Sequence, residues 1–215
     1  MKNTMTACIL AMGTALAQAD NAPMAPVMQE PVAAGQTWTY KRVLKTPAGT
    51  SESRTIFRAG QGPGGALVAE SMPAALTGRP TLWHQGPTIG NDSCMIDVFG
   101  TGSLGIINSC TTTFVPGMDW TTENQIQGKR VFQRYEVLDT EYITVAAGSF
   151  NAIKIEALWE TAGATGSRPT HKVTYWYAPE TRAMAKVHRQ FLNSKGAIES
   201  EATEELEGFR QTIAR

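Results

Sequence analysis

Few residues in this 215-residue chain have the types and spacing that chemistry requires. Three histidines, His84, His171 and His188, are the first candidates. His171 and His188 flank a turn at Pro179-Glu180, so a hairpin that set them opposite each other would supply two metal ligands. The apolar pattern tests this. Matching Val173, Tyr175 and Tyr177 to Val187, Ala185 and Ala183 places all six on one face, with His171 among them. His188 then lies opposite Lys172 on the other face. A slip of one residue would pair the histidines but would carry Lys186 and Arg182 in among the aromatics. The pattern therefore predicts solvated or edge histidines rather than a metal pair. His84, Asp92, Cys94 and Asp97 form a second cluster, without the His-x-x-x-His or Cys-x-x-Cys spacing of metal sites.

Nucleophilic and nucleotide chemistry fare no better. No Gly-x-Ser-x-Gly turn offers an activated serine. The acid pairs Asp139/Glu141, Glu199/Glu201 and Glu204/Glu205 read as surface charge, because chain spacing alone gives neither a cleft nor a displaced pKa. Gly60-Gly62-Gly65 and Gly100-Gly102-Gly105 match Gly-x-Gly-x-x-Gly, in which backbone approaches a pyrophosphate at a helix N-terminus. Neither match is followed by a helical pattern, and Pro63 interrupts the first. Both read as β-turns. The sequence thus predicts no catalytic residue, no metal and no cofactor.

The aromatic residues carry the one binding signal. Tyr175-Trp176-Tyr177 puts large rings on both faces of one strand, with Trp159 and Trp38 expected near by. Such a strand is either buried on two sides or lines a concavity for an apolar ligand. Both readings stay open on the sequence. The candidate groove is Trp159, Tyr175, Trp176 and Tyr177.

The elements that must position these residues are strands. Charged residues make up 18% of the chain, against roughly 25% in an average soluble domain, and hydrophobic residues make up 42%. That composition supports a real core. The formal net charge of zero excludes the basic footprint of general nucleic-acid binding. It equally excludes a polybasic membrane-surface face. Period-two alternation marks Thr37–Leu44, with Trp38, Tyr40 and Leu44 on one face. Shorter strands are expected at Ser53–Phe57, Ala66–Ala69, Cys94–Phe99 and Ile106–Phe114, then at Trp120–Ile126 and Arg130–Val145. The clearest are Asn151–Trp159 and the runs around Val173–Tyr177 and Ala183–Val187. Ala197–Leu206 reads as strand because Asn193-Ser194-Lys195-Gly196 is a hairpin turn. Helix is plausible only at Met72–Leu76 and in the C-terminal tail. The expected fold class is mostly β: an antiparallel curved sheet or incomplete barrel with little helix.

The N-terminus addresses the chain. Lys2, an apolar run from Ala7 to Ala17, and Ala-x-Ala triplets ending at Ala17 and Ala19 read as a signal peptide over residues 1–19. The run has eleven residues, well short of the ~20 that a spanning helix needs. A periplasmic or secreted protein, soluble after signal cleavage, is expected. In such a compartment Cys94 and Cys110, joined by a Gly-rich turn, are expected to form a disulfide. Closing that loop contributes on the order of 3 kcal/mol. Residues 20–34 form a Pro/Ala-rich leader, 35–114 an N-terminal β region, 115–208 a second β domain and 209–215 a tail.

Three motifs in that second region carry a family resemblance. They are Val145-Ala146-Ala147-Gly148-Ser149-Phe150-Asn151-Ala152, Tyr175-Trp176-Tyr177-Ala178-Pro179 and the closing Glu205-Leu206, with Pro116-Gly117-Met118-Asp119-Trp120 as an opening. Together, over residues about 115–208, they resemble the TapB-like domain family of bacterial envelope proteins of unknown function. Ala146 stands where the family usually has Pro, and Thr181-Arg182 where a Gly is common. The resemblance implies a curved antiparallel sheet in an exported protein, and it brings no catalytic residues. The expected role is non-catalytic, binding an apolar or envelope-derived ligand. A structural or assembly module that binds an envelope protein is the alternative, and an uncharacterised hydrolase the second alternative. No nucleic acid and no membrane span are expected, and the oligomeric state is left open.

Overall fold

Alternating apolar and polar residues become strands wherever one face can be buried, and the described residues of this chain are built almost wholly that way. The computed structural model describes residues 33–61, 67–72, 88–89, 96–97, 114–126, 128–163 and 166–211. The strands are β1 (Thr37–Thr46), β2 (Gly49–Gln61), β3 (Leu67–Met72), β4 (Thr88–Ile89), β5 (Ile96–Asp97) and β6 (Asp119–Ile126). They continue as β7 (Lys129–Val145), β8 (Gly148–Gly163), β9 (Gly166–Ala178), β10 (Ala183–Leu192) and β11 (Ile198–Arg210). A 3₁₀ turn, Pro179–Thr181, joins β9 to β10. Among the described residues no helix is long and apolar enough to cross a membrane.

Nine strands form one antiparallel sheet in the order β3-β2-β1-β11-β10-β9-β8-β7-β6. Every neighbour is also a chain neighbour except one: β1 pairs with β11. That pairing joins strands of the 35–114 and 115–208 regions in one continuous sheet. β4 and β5 make a separate two-stranded ribbon; β5 lies against β10 and β4 against β3.

The long β7–β8 hairpin turns back onto the sheet. Its tip residue Ala147 donates its N–H to the Leu206 carbonyl on β11, at 3.1 Å. A bulge at Leu138 lets the hairpin bend there, as bulges do. Two apolar clusters result. One, around the hairpin tip, gathers Trp38, Tyr40, Val145, Phe150 and Leu206. The other covers the inner face of β7–β10 and includes Val137, Ile155, Trp159, Tyr175 and Val187. Two tethers from β1 tie the first cluster down across β11. Trp38 Nε1 donates to the Thr181 carbonyl at 2.8 Å, and the Tyr40 hydroxyl donates to the Met184 carbonyl at 3.0 Å.

The mostly-β curved sheet expected from the sequence is the observed fold. Several local expectations are corrected. Met72 lies in strand β3, paired with Ile56, and residues 73–76 of the expected helix lie outside the described residues. The tail begins later than residue 209, because β11 runs to Arg210 opposite Thr37. Phe114 lies outside any strand; of the expected Cys94–Phe99 strand Ile96–Asp97 is strand β5, and the rest of it, with residues 106–113, lies outside the described residues. The signal peptide, Cys94, Cys110, His84, Asp92 and the second glycine motif lie outside the described residues.

The β9–β10 register also differs. Val187 faces Tyr175 and Arg189 faces Val173, two residues further along β10 than the apolar matching proposed. The cause is a four-residue connection in place of a symmetric turn, followed by a bulge at Ala185. Beyond the bulge the pairing is shifted by two residues, which preserves the faces; before it the shift is one, so Met184 instead of the expected Ala183 stands opposite Tyr177. Arg182 closes the connection in the left-handed region (φ 55°), donating its N–H to the Pro179 carbonyl at 3.1 Å. Only glycine takes that conformation without strain, and it is here that this chain departs from the glycine of the TapB-like pattern.

Candidate ligand site on the inner face

The strand register lines up inner side chains in rows across the sheet. The first row runs Thr122–Gln133–Trp159–His171–Phe191. The second runs Trp120–Tyr135–Ala157–Val173–Arg189 and continues to Ala202 and Leu44. The third runs Val137–Ile155–Tyr175–Val187–Glu204–Arg42. The middle of these rows is apolar and fully buried, with Tyr135, Val137, Ile155 and Tyr175 at 0% exposure. Trp120 stacks on Tyr135 with ring centres 4.8 Å apart.

The first row is more polar. Thr122 Oγ1 donates to Gln133 Oε1 at 2.8 Å, and both side chains are buried. The His171 ring sits between Trp159 (5.3 Å) and Phe191 (5.0 Å). The Arg189 guanidinium lies 5.3 Å over the Trp159 ring, a cation–π arrangement. Thr170 Oγ1 donates to the Trp159 carbonyl at 3.2 Å and lies 3.0 Å from His171 Nδ1. With its proton committed to that carbonyl, Thr170 Oγ1 is placed to accept from His171 Nδ1–H. Burial, and secondarily the charge of Arg189, pushes the His171 pKa down to about 4.

Trp159 is only 9% exposed, and its Nε1–H is buried with no hydrogen-bond partner. A buried donor without an acceptor costs about 1–3 kcal/mol. In the third row Arg42 Nε lies 3.5 Å from Glu204 Oε1, an ion-pair distance. Burial, and then the Glu204 charge, raises the Tyr40 pKa above its ordinary value.

Three of the four groove residues anticipated from sequence, Trp159, Tyr175 and Tyr177, belong to the inner buried cluster. Trp176 does not join them. Period-two geometry turns it to the outer face, where its Nε1 donates to Glu141 Oε2 at 2.9 Å. Lys154 and Lys186 stand 5.7 and 5.6 Å from its ring. The four residues therefore form no common surface.

The two histidines also sit on opposite faces: His171 inside, and His188 outside with Nε2 3.6 Å from Glu201 Oε1. Glu204 of the supposed surface pair turns inward to Arg42, whereas Glu205 stays outside with Lys186 at 2.9 Å. Sequence reasoning missed Gln133, Arg189 and Phe191. The signal for the last two was present, because the Val187 alternation continues through Arg189 to Phe191, which puts a guanidinium at an inner position.

No family model matches the chain, and no curated protein matches it, so the TapB-like resemblance rests on its motifs. Among solved structures, a protein with a YmcC-like fold from Bacteroides fragilis overlaps at 15% identity and TM-score 0.45, covering 86% of this chain and 99% of that one. The hypothetical lipoprotein YmcC from Escherichia coli overlaps at 10% identity and TM-score 0.39, covering 83% of this chain and 85% of that one. A LolA superfamily protein from Nitrosomonas europaea overlaps at 9% identity and TM-score 0.31, covering 87% of this chain and 90% of that one. Likenesses this distant assign neither a family nor a ligand to this chain.

Proposed function

We propose that this chain is an exported, non-catalytic envelope protein that binds an apolar ligand against the inner face of its curved sheet. The observation that carries the reading is the inner face itself. Five strands, β6–β10, present contiguous rows of aromatic and aliphatic side chains on one side of a single layer. Phe114, which lies outside any strand, packs on these rows against Trp120 and Tyr177. A sheet must bury its apolar face against something, and covering apolar surface contributes about 25 cal/mol per Å².

Native mass spectrometry of protein purified from an oxidising compartment, followed by denaturing extraction, tests this. A co-purifying small molecule released on unfolding is the expected result and identifies the ligand's class. A ligand-free mass that stays unchanged after incubation with long-chain amphiphiles overturns the reading. The same spectrum reports the Cys94–Cys110 disulfide as a loss of two hydrogens.

A further inference from the structure

An open sheet ends in two strands with one hydrogen-bonding side unused, and that side is a template for another strand. Here the end strands are β3 and β6. β3 has the ribbon strand β4 beside it. β6 has β7 on one side and, among the described residues, no strand on the other. Its eight residues, Asp119–Ile126, include no proline and no basic residue, and they pair with β7 without a bulge. Of the devices that blunt an edge, β6 has two carboxylates, Asp119 and Glu123. The strand is also fixed in line from its inner side. Trp120 stacks on Tyr135, and buried Thr122 Oγ1 donates to Gln133 Oε1. An edge already held extended loses little freedom when it gains a neighbour.

We infer that β6 pairs antiparallel with β6 of a second copy of this chain, joining two sheets into one about a two-fold axis normal to the sheet. Opposed residues in such a pair share a face, and the register is named by the residue that meets itself. Centring on Thr121 sets Asp119 against Glu123 of the second copy, and centring on Glu123 sets two Glu123 carboxylates together. Like charges directly opposed destabilise a strand pair. Centring on Thr122 pairs residues 119–125 with 125–119. Thr121 then meets Glu123 of the second copy, Asp119 meets Gln125, and no like charges face each other. Thr121, Glu123 and Gln125 are all exposed in the single chain. The pairing uses the sheet edge and is independent of the ligand reading above.

Sedimentation velocity of the full chain from about 1 μM to about 1 mM tests this. The unmutated protein is expected to pass from monomer to dimer within that range. Thr121→Lys sets a cation opposite Glu123 of the second copy at both symmetric positions, and Thr121→Glu sets an anion there. The first tightens the dimer about fivefold and the second weakens it by about the same factor. Arg134, opposite residue 121 within the chain, is the same in monomer and dimer and does not decide the sign. Hydrogen exchange adds a readout that needs no variant: β6 amides exchange more slowly as concentration rises, while β8 amides do not change.

A monomer throughout the range overturns the pairing. So does a dimer whose strength the two substitutions leave unchanged or move in the same direction.

Discussion

His171 shows how one side chain records its surroundings. Wedged between Trp159 and Phe191 and facing Arg189, it is held neutral, with a pKa lowered to about 4 against an ordinary 6.5. The folded state therefore binds fewer protons than the unfolded chain between those two values. Stability is full above pH 6.5 and falls as the pH drops toward 4, by on the order of 3 kcal/mol. Denaturant melts of the native protein and of His171→Gln across pH 4–7 check this: the variant should lose most of the slope. An unchanged slope would assign the acid sensitivity to other groups. Trp176 makes the complementary point. It was grouped with its neighbours by type, yet its bonds are to Glu141 and its company is two lysines.

At the scale of elements, turns and bulges decide the register. The Asn193–Gly196 turn was legible from sequence, and its bonds explain why. Asn193 Oδ1 accepts from the N–H groups of Lys195 (2.9 Å) and Ala197 (3.1 Å). Gly196 closes the turn at φ 78°, with open space where a side chain would stand. Gly196→Ala is thus expected to cost about 1 kcal/mol through backbone conformation alone. Urea melts measure it, and an unaltered midpoint would remove the strain argument. The β9–β10 connection was not legible in the same way. Its four residues and the Ala185 bulge displace the pairing by two beyond the bulge, where each residue keeps its face and hydrophobic alternation is blind to the offset, while before the bulge Met184 takes the place expected for Ala183 opposite Tyr177.

At the scale of the molecule, one pairing dominates. β1 lies beside β11, so the start of the described chain completes the sheet formed by its end. Trp38 and Tyr40 bond across β11 to the β9–β10 connection and to β10. A boundary between residues 35–114 and 115–208 would have to cut these contacts. The expectation is therefore a single cooperative unfolding transition, with tryptophan fluorescence and far-UV circular dichroism giving coincident curves. Two separated transitions would restore the boundary.

Alternation by itself determined that this chain is mostly β, which residues share a face around Tyr175, and that His171 and His188 cannot meet. It could do so because a strand's period of two is a local property of the backbone. It did not determine that β1 closes against β11, that the β7–β8 tip reaches Leu206, or that Arg189 stands over Trp159. Those contacts join residues far apart in the chain and depend on bulges, which leave little trace in composition. Only the folded sheet brings a cation, a shielded indole donor and an apolar face together.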